Sequence, residues 1–380
     1  MKIKVLQKTA SMNAGGIEKF LINVEEKINK DEFQFDYFLN TTDEQFYSEK
    51  IRKLGGRIFA SKWKDNKIIN ILNRCIKFYK FLKVNKYDVV HINEPLLASS
   101  IYAFLAKFAG VKNIIVHSHN DHSVEKFNFI QTLLNELARY IIMHKAGYYF
   151  ACSDLAAKWL FGKNVLKNNN YYKIANGIDS EKYTFNAKIR NKMRKSINIK
   201  NNFVIGHVGR FFEQKNHKFL LEIFKEFLKY EPQAILLLVG DGPLRKEIEE
   251  EIIKTKLNEK VILLGVRNDV PELLMAMDIF VFPSLYEGLP VVCIEAQASG
   301  LECLLSKNIT EEVNFGRCCY LSLDESPEQW AKLIYNKKNN GNEQKRENII
   351  TNTEFDINIS IKWIEKFYEK LRNKCYETKL

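Results

Sequence analysis

The chain alternates short apolar runs with amphipathic stretches and begins that alternation twice, which restricts its fold more than any other feature. Lys2-Ile3-Lys4-Val5-Leu6-Gln7 reads as a strand, Ser11-Met12-Asn13-Ala14-Gly15-Gly16 as a loop, and Ile17 to Ile28 as a helix with one apolar face. Parallel strands need a crossover, usually a helix, so a recurring strand, loop and helix predicts a parallel α/β sheet. Further strands are predicted over 35–39, 87–92, 113–119 and 148–153. Helices are predicted over 48–54, 68–84, 133–145 and 154–161, the last capped by Ser153. The pattern lapses in the Asn-rich residues 162–170 and resumes at Phe203-Val204-Ile205-Gly206-His207-Val208-Gly209, with strands expected over 234–239, 261–264 and 279–282.

A chain of 380 residues is too long for one typical core and suits two domains. The expected division is 1–175 and 176–357, each Rossmann-like and doubly wound, with 358–380 as a separate helix. On that helix Ile361, Ile364, Phe367, Tyr368 and Leu371 share a face that needs a surface to pack on. Asn176-Gly177-Ile178-Asp179 reads as a turn with Gly177 left-handed, and Lys337–Asn342 as a polar loop.

No run of about 18 apolar residues is present, and the chain enters its first strand without a signal-peptide layout, so a cytoplasmic protein is expected. The seven cysteines are scattered, without C-x-x-C or zinc spacing, and read as reduced structural thiols. Charge is uneven: residues 1–200 hold 34 Lys and Arg against 18 Asp and Glu, whereas the remainder is slightly acidic. A basic first half suits peripheral contact with an anionic membrane or a solvated surface; no nucleic-acid motif accompanies it.

Candidate site residues gather at predicted strand ends, where an open parallel sheet holds its ligands. Gly209-Arg210 follows one strand and Lys215-Asn216-His217 opens the next helix, which sets two cations near a helix N-terminus as a diphosphate would require. Val239-Gly240-Asp241-Gly242-Pro243 ends a second strand at the same edge. A third leads into Phe282-Pro283-Ser284-Leu285-Tyr286-Glu287-Gly288-Leu289-Pro290-Val291-Val292-Cys293-Ile294-Glu295, where two carboxylates eight residues apart flank a loop able to offer backbone N–H groups. Phosphates at one end and hydroxyls at the other describe a nucleotide sugar.

This last segment resembles the E-x7-E signature of retaining glycosyltransferases of family 4, which have the GT-B fold: two Rossmann-like domains facing a cleft, with a C-terminal helix returning to the first. The resemblance is strong over roughly 200–300 and holds in outline over 1–180. It implies that Arg210 and Lys215 bind the donor diphosphate, that Glu295 holds the ribose, and that Glu287 contacts the transferred sugar, with Gly288 and Leu289 completing that pocket. His119, in His117-Ser118-His119-Asn120, resembles the family's histidine beside the reacting sugar. Gly16, in the first strand-to-helix loop, is placed to approach phosphate.

The expected activity is metal-independent, retaining transfer of a hexose or N-acetylhexosamine from a nucleotide-diphosphate sugar, with UDP as the expected nucleotide. The acceptor would be a lipid-linked oligosaccharide in polysaccharide assembly at the inner membrane face. No cofactor and no metal are expected, since an Asp-x-Asp signature is missing from the matching place. The rivals are a GT-B epimerase acting on its own donor and a non-catalytic nucleotide-sugar binder. A dinucleotide oxidoreductase is disfavoured because residues 11–16 lack G-x-G-x-x-G.

Overall fold

The computed structural model describes residues 2–60, 67–119, 127–340 and 346–377. The chain forms two compact units, Met1–Gly177 with Ile357–Leu380, and Ile178–Asp356.

The first unit runs β1 (Ile3–Thr9), α1 (Gly16–Lys27), β2 (Phe33–Leu39), α2 (Ser48–Lys53), β3 (Arg57–Ala60), α3 (Lys67–Val84), β4 (Val89–Asn93), α4 (Leu96–Phe108), β5 (Asn113–Ser118), α5 (Phe129–Lys145), β6 (Tyr148–Ala151), α6 (Asp154–Phe161) and β7 (Tyr171–Lys173). Its seven strands are all parallel in the order β3-β2-β1-β4-β5-β6-β7. Alternation along each strand feeds two cores. Leu6 and Val90 face a layer built from α3, α4, α5 and α6, while Val5 and Val89 face α1 and α2.

The second unit contains α7 (Ser180–Tyr183), α8 (Ala187–Ser196), β8 (Val204–Val208), α9 (His217–Phe227), β9 (Ile235–Val239), α10 (Arg245–Lys254), β10 (Val261–Leu263), α11 (Val270–Ala276), β11 (Ile279–Phe282), α12 (Val291–Ala298), β12 (Glu302–Ser306), β13 (Cys318–Leu321) and α13 (Pro327–Asn340). Its six strands, also parallel, are ordered β10-β9-β8-β11-β12-β13. The last helix, α14 (Ile357–Glu377), belongs to the first unit. It buries Ile361, Ile364, Phe367, Tyr368 and Leu371 against the core that contains Val5, Phe35 and Phe150.

Each sheet reverses its winding once, between β1 and β4 and between β8 and β11. Chain leaves neighbouring strands in opposite directions there, and that divergence opens a crevice at the carboxyl edge.

Several local expectations change. The helix α4 carries apolar residues on its outward side as well as its inward one, so it lacks the polar stripe that marks a helix in sequence. Outward Phe129 and Ile130 likewise hide the first turn of α5, which starts at Phe129 rather than at 133. The edge strands β3 and β13 are half-buried and too short for a clear period. Of the loop expected over Lys337–Asn342, Lys337 to Asn340 is the last turn of α13, and 341–342 lie outside the described residues. Gly177 is not among the described glycines of positive φ; a three-residue turn, closed by Gly177 N–H to the Ala175 carbonyl at 2.8 Å, needs no left-handed residue.

Candidate functional site

In the second unit the crevice is framed by the loop after β8 and the loop after β11. The first loop ends in a 3-10 turn, Glu213–Lys215, and then Asn216, whose φ of 53° swings the chain into α9. The second loop lies directly on that turn. Leu285 N–H donates to the Gln214 carbonyl (2.8 Å), Gln214 Nε2 to the Tyr286 carbonyl (2.9 Å), and Asn216 Nδ2 to the Pro283 carbonyl (3.2 Å). These three bonds set the register that brings Lys215 Nζ to 2.6 Å from Glu287 Oε1. The two side chains are only 16% and 8% exposed, and the ammonium also lies 4.6 Å over the Phe282 ring.

Arg210 leaves the same edge exposed, with its guanidinium 4.3 Å over the Phe212 ring. Its backbone is positioned by two glycines of the β9 loop. Gly240 has φ +136°, and a Cβ there would stand 2.0 Å from the Gly209 carbonyl oxygen; a Cβ on Gly242 would stand 2.5 Å from that of Phe211. The Val239–Pro243 motif therefore admits the close approach of residues 209–211, which Phe211 N–H donating to the Asp241 carbonyl then locks at 3.0 Å.

Glu295 lies in the second turn of α12, buried, where the Tyr183 hydroxyl donates to its Oε1. Tyr183 carried no sequence signal, being one aromatic in a short helix. Gly288 and Leu289 are half-buried just ahead of α12, and their N–H groups make no backbone hydrogen bond among the described residues. The sequence-predicted residues Arg210, Lys215, Glu287, Gly288, Leu289 and Glu295 thus all lie in one unit, on the elements that frame its crevice.

Gly16 and His119 belong to the first unit. Gly16 opens α1, and a Cβ there would meet nothing within 4 Å. His119, just past β5, is buried, with Nε2 2.8 Å from Asn93 Oδ1 and Nδ1 2.9 Å from Asn176 Oδ1. Burial pulls its pKa down to about 4 against the opposing pull of the Asn176 contact, so the ring is neutral at pH 7. A neutral ring donates one N–H to one of these oxygens; the other contact is satisfied by turning that amide so that its NH₂ faces the ring. His117 packs on His119, ring centroids 3.9 Å apart, and its Nδ1 is 3.2 Å from His91 Nε2. The chain of contacts reaches α14, where the Tyr368 hydroxyl is 2.8 Å from His91 Nδ1.

A second ion pair, unforeseen in the sequence, spans the winding reversal of this unit. Lys8 on β1 is fully buried and pairs with Glu94 just after β4, while Nζ also donates to Asn40 Oδ1 at 3.0 Å and lies 4.2 Å over the Tyr102 ring. Burial lowers the Lys8 pKa, which Glu94 opposes. A lysine alternating with apolar residues normally marks a strand's solvent side, and that rule hid it.

Among the described residues no cluster of His, Cys, Asp or Glu could hold a metal ion, and no helix is long and apolar enough to cross a membrane. The six cysteines with described side chains are free thiols.

Residues 14–182 match the model of Glycosyltransferase Family 4, and residues 189–354 that of Glycosyl transferases group 1. A Bacillus subtilis protein named as a glycosyltransferase, EpsF, is 36% identical over 337 residues, 87% of this chain and 86% of its own. The chain belongs to the family 4 glycosyltransferases. The UDP-Gal:α-D-GlcNAc-diphosphoundecaprenol α-1,3-galactosyltransferase of Escherichia coli is 30% identical over 63% of this chain and 62% of its own. Among solved structures, Anabaena HepE in complex with UDP and glucose superposes with a TM-score of 0.77 at 21% identity, covering 97% of this chain and 99% of that one. The two parallel-sheet units are thus those of a GT-B glycosyltransferase. The Glu287 to Glu295 segment is the loop and first helical turns that follow β11, a strand at the winding reversal.

Proposed function

We propose that this glycosyltransferase moves a hexose or N-acetylhexosamine from a UDP-sugar to a lipid-linked saccharide, with retention at the anomeric carbon and without a metal ion. The observation that carries the reading is the Lys215–Glu287 pair, held between the two loops of the crevice with Arg210 at the same edge. A diphosphate arriving there meets two cations, and the sugar it carries meets a carboxylate. In this reading Arg210 and Lys215 bind the diphosphate, Glu295 the ribose hydroxyls, and Glu287 with the N–H groups of Gly288 and Leu289 the transferred sugar. Gly16 leaves room for a phosphate, and His119 reaches a sugar hydroxyl by exchanging one of its Asn partners.

The acceptor hydroxyl forms the new bond to the anomeric carbon as the bond to the diphosphate breaks. The electron pair goes to the diphosphate oxygen, which also receives the hydroxyl proton. Two fixed cations stabilise that leaving group where it forms, the task a divalent ion performs elsewhere. The lipid-linked acceptor is supported by the name of the E. coli relative and UDP by that relative and by the HepE complex. The surplus of cations in residues 1–200 supports peripheral contact with the inner, anionic membrane face.

Calorimetry against UDP-, GDP- and TDP-sugars, with NAD as control, tests the reading. Binding of a UDP-sugar, lost in Arg210→Ala, is the expected result; no nucleotide binding would overturn it. Product anomeric configuration by NMR tests retention, and turnover unaffected by EDTA tests metal independence. Consumption of donor without an acceptor would point instead to an epimerase.

A further inference from the structure

We propose that α4 and α5 of the first unit form a face that inserts shallowly into an anionic lipid bilayer, a specific docking surface that rests on and deepens the membrane contact above. The two helices pack side by side in the same layer. Along α5, Phe129, Leu133, Leu137 and Tyr140 recur at helical spacing on the solvent side, with Phe129 83% exposed. On α4, Ile101, Phe104 and Phe108 do the same, Phe108 being 66% exposed and its ring stacked 5.1 Å from that of Phe104. Lys145, at the end of α5, reaches to 5.9 Å from the Phe104 ring and so joins the two stripes. Single exposed apolar side chains are ordinary, but a contiguous set on adjacent helices marks an interaction surface.

Charge selects the occupant. The neighbouring α3 bears exposed Lys77, Lys80 and Lys83 with no acidic residue, and α4 bears exposed Lys107 with none. The one acid of α5, Glu136, is paired with Arg139. An apolar face rimmed by cations is the pattern of a helix lying in the headgroup plane. A two-fold pairing with a second copy would set like charges near one another, whereas an anionic bilayer neutralises them.

Flotation of the full chain with phosphatidylglycerol-containing and pure phosphatidylcholine vesicles tests the proposal. The parent protein should float with the anionic vesicles and keep a bound fraction at high salt, the sign of apolar insertion. Leu133→Gln with Leu137→Gln should lower the partition coefficient roughly tenfold or more. Lys77→Gln, Lys80→Gln and Lys83→Gln together should lower it on anionic vesicles only, by roughly fivefold per lysine near the surface. Ile253→Gln, an exposed position on α10, should change nothing. Vesicle binding that ignores the leucine substitutions would leave the charge-driven contact standing and overturn the α4–α5 face; no binding by the parent would overturn both. A concentration-dependent dimer in light scattering, abolished by those substitutions, would assign the face to self-association instead. Nucleotide-sugar calorimetry on the same samples separates these outcomes from failure of the catalytic reading.

Discussion

Lys215 and Glu287 are 72 residues apart in sequence and 2.6 Å apart in space, joined across the point where the second sheet reverses its winding. Both are mostly buried, so each holds the other's charge in place. Lys215→Met or Glu287→Leu alone leaves an uncompensated charge and should cost roughly 2–4 kcal/mol of stability, while the two together should cost clearly less than the sum of the singles. Turnover should fall roughly 10²-fold or more in each single variant, with strong non-additivity in the double. Urea melts and steady-state kinetics on the four proteins decide it; additive losses would mean that the pair does not act as a unit.

How far the sequence reveals this arrangement depends on what kind of signal each residue leaves. The crevice of the second unit was legible because its parts are consecutive: a strand, a glycine and a cation, or a strand, a Gly/Pro loop and a helix with Glu295 in its second turn. The pairing of Lys215 with Glu287 was not, since it depends on three loop-to-loop hydrogen bonds that no local pattern encodes. Tyr183 and the Lys8–Glu94 pair were invisible for the same reason: each acts through a partner far away in the chain. The final helix declared itself through Ile361, Ile364, Phe367 and Leu371, whereas α4 did not, because its exposed apolar side chains erase the polar half of the pattern. Residues 121–126 lie outside the described residues, and 129–131 open α5.

Five buried histidines should make the protein acid-sensitive. Burial, helped by the neighbouring His119, draws His91 down to about 3; burial draws His119 to about 4 and, with Lys215 nearby, His217 to about 4, while His117 and His207 fall well below the ordinary value. All stay neutral when folded but take up a proton near pH 6.5 when unfolded. The unfolded state therefore binds more protons below that pH, and stability that is complete above about 6.5 is lost as pH falls toward 4, by up to ~1.4 kcal/mol per pH unit for each group. Glu25 runs the other way: burial raises it to about 7, so its contribution is present at low pH and lost as pH rises from about 4.5 to 7. Urea midpoints should drop between pH 7 and 5, and Glu25→Gln should raise stability at pH 8; a flat profile would contradict the buried, neutral histidines.

The C-terminal helix should be indispensable to the first unit. Phe367 lies among Tyr148, Phe150, Tyr172 and Trp363, with ring centroids 5.0–5.1 Å away. Phe367→Ala should cost about 3–5 kcal/mol. Tyr368→Phe removes only the hydroxyl facing His91 Nδ1 and should cost about 1–3 kcal/mol for the group left unpaired. Thermal melts resolving the two units should show the loss in the first unit; an unchanged profile for Phe367→Ala would mean that this helix is not part of the unit's core.

Gly240 lies in the loop after β9 and Gly16 opens α1, and physics separates the two glycines. Alanine at 240 must adopt φ +136° and drive its Cβ to 2.0 Å from the Gly209 carbonyl, so Gly240→Ala should destabilise by more than about 1–3 kcal/mol and displace Arg210. Gly16 is helical, with ordinary φ and open space where a Cβ would go, so no neighbour in the fold demands glycine there. Gly16→Ala should raise stability by about 0.4–1 kcal/mol, through the lower entropy of the unfolded chain. If the room at Gly16 is kept for a donor phosphate, the same methyl group should weaken nucleotide-sugar binding at least tenfold, read by calorimetry beside the melts. A more stable protein with unaltered donor affinity would remove Gly16 from the site and leave phosphate recognition to Arg210 and Lys215.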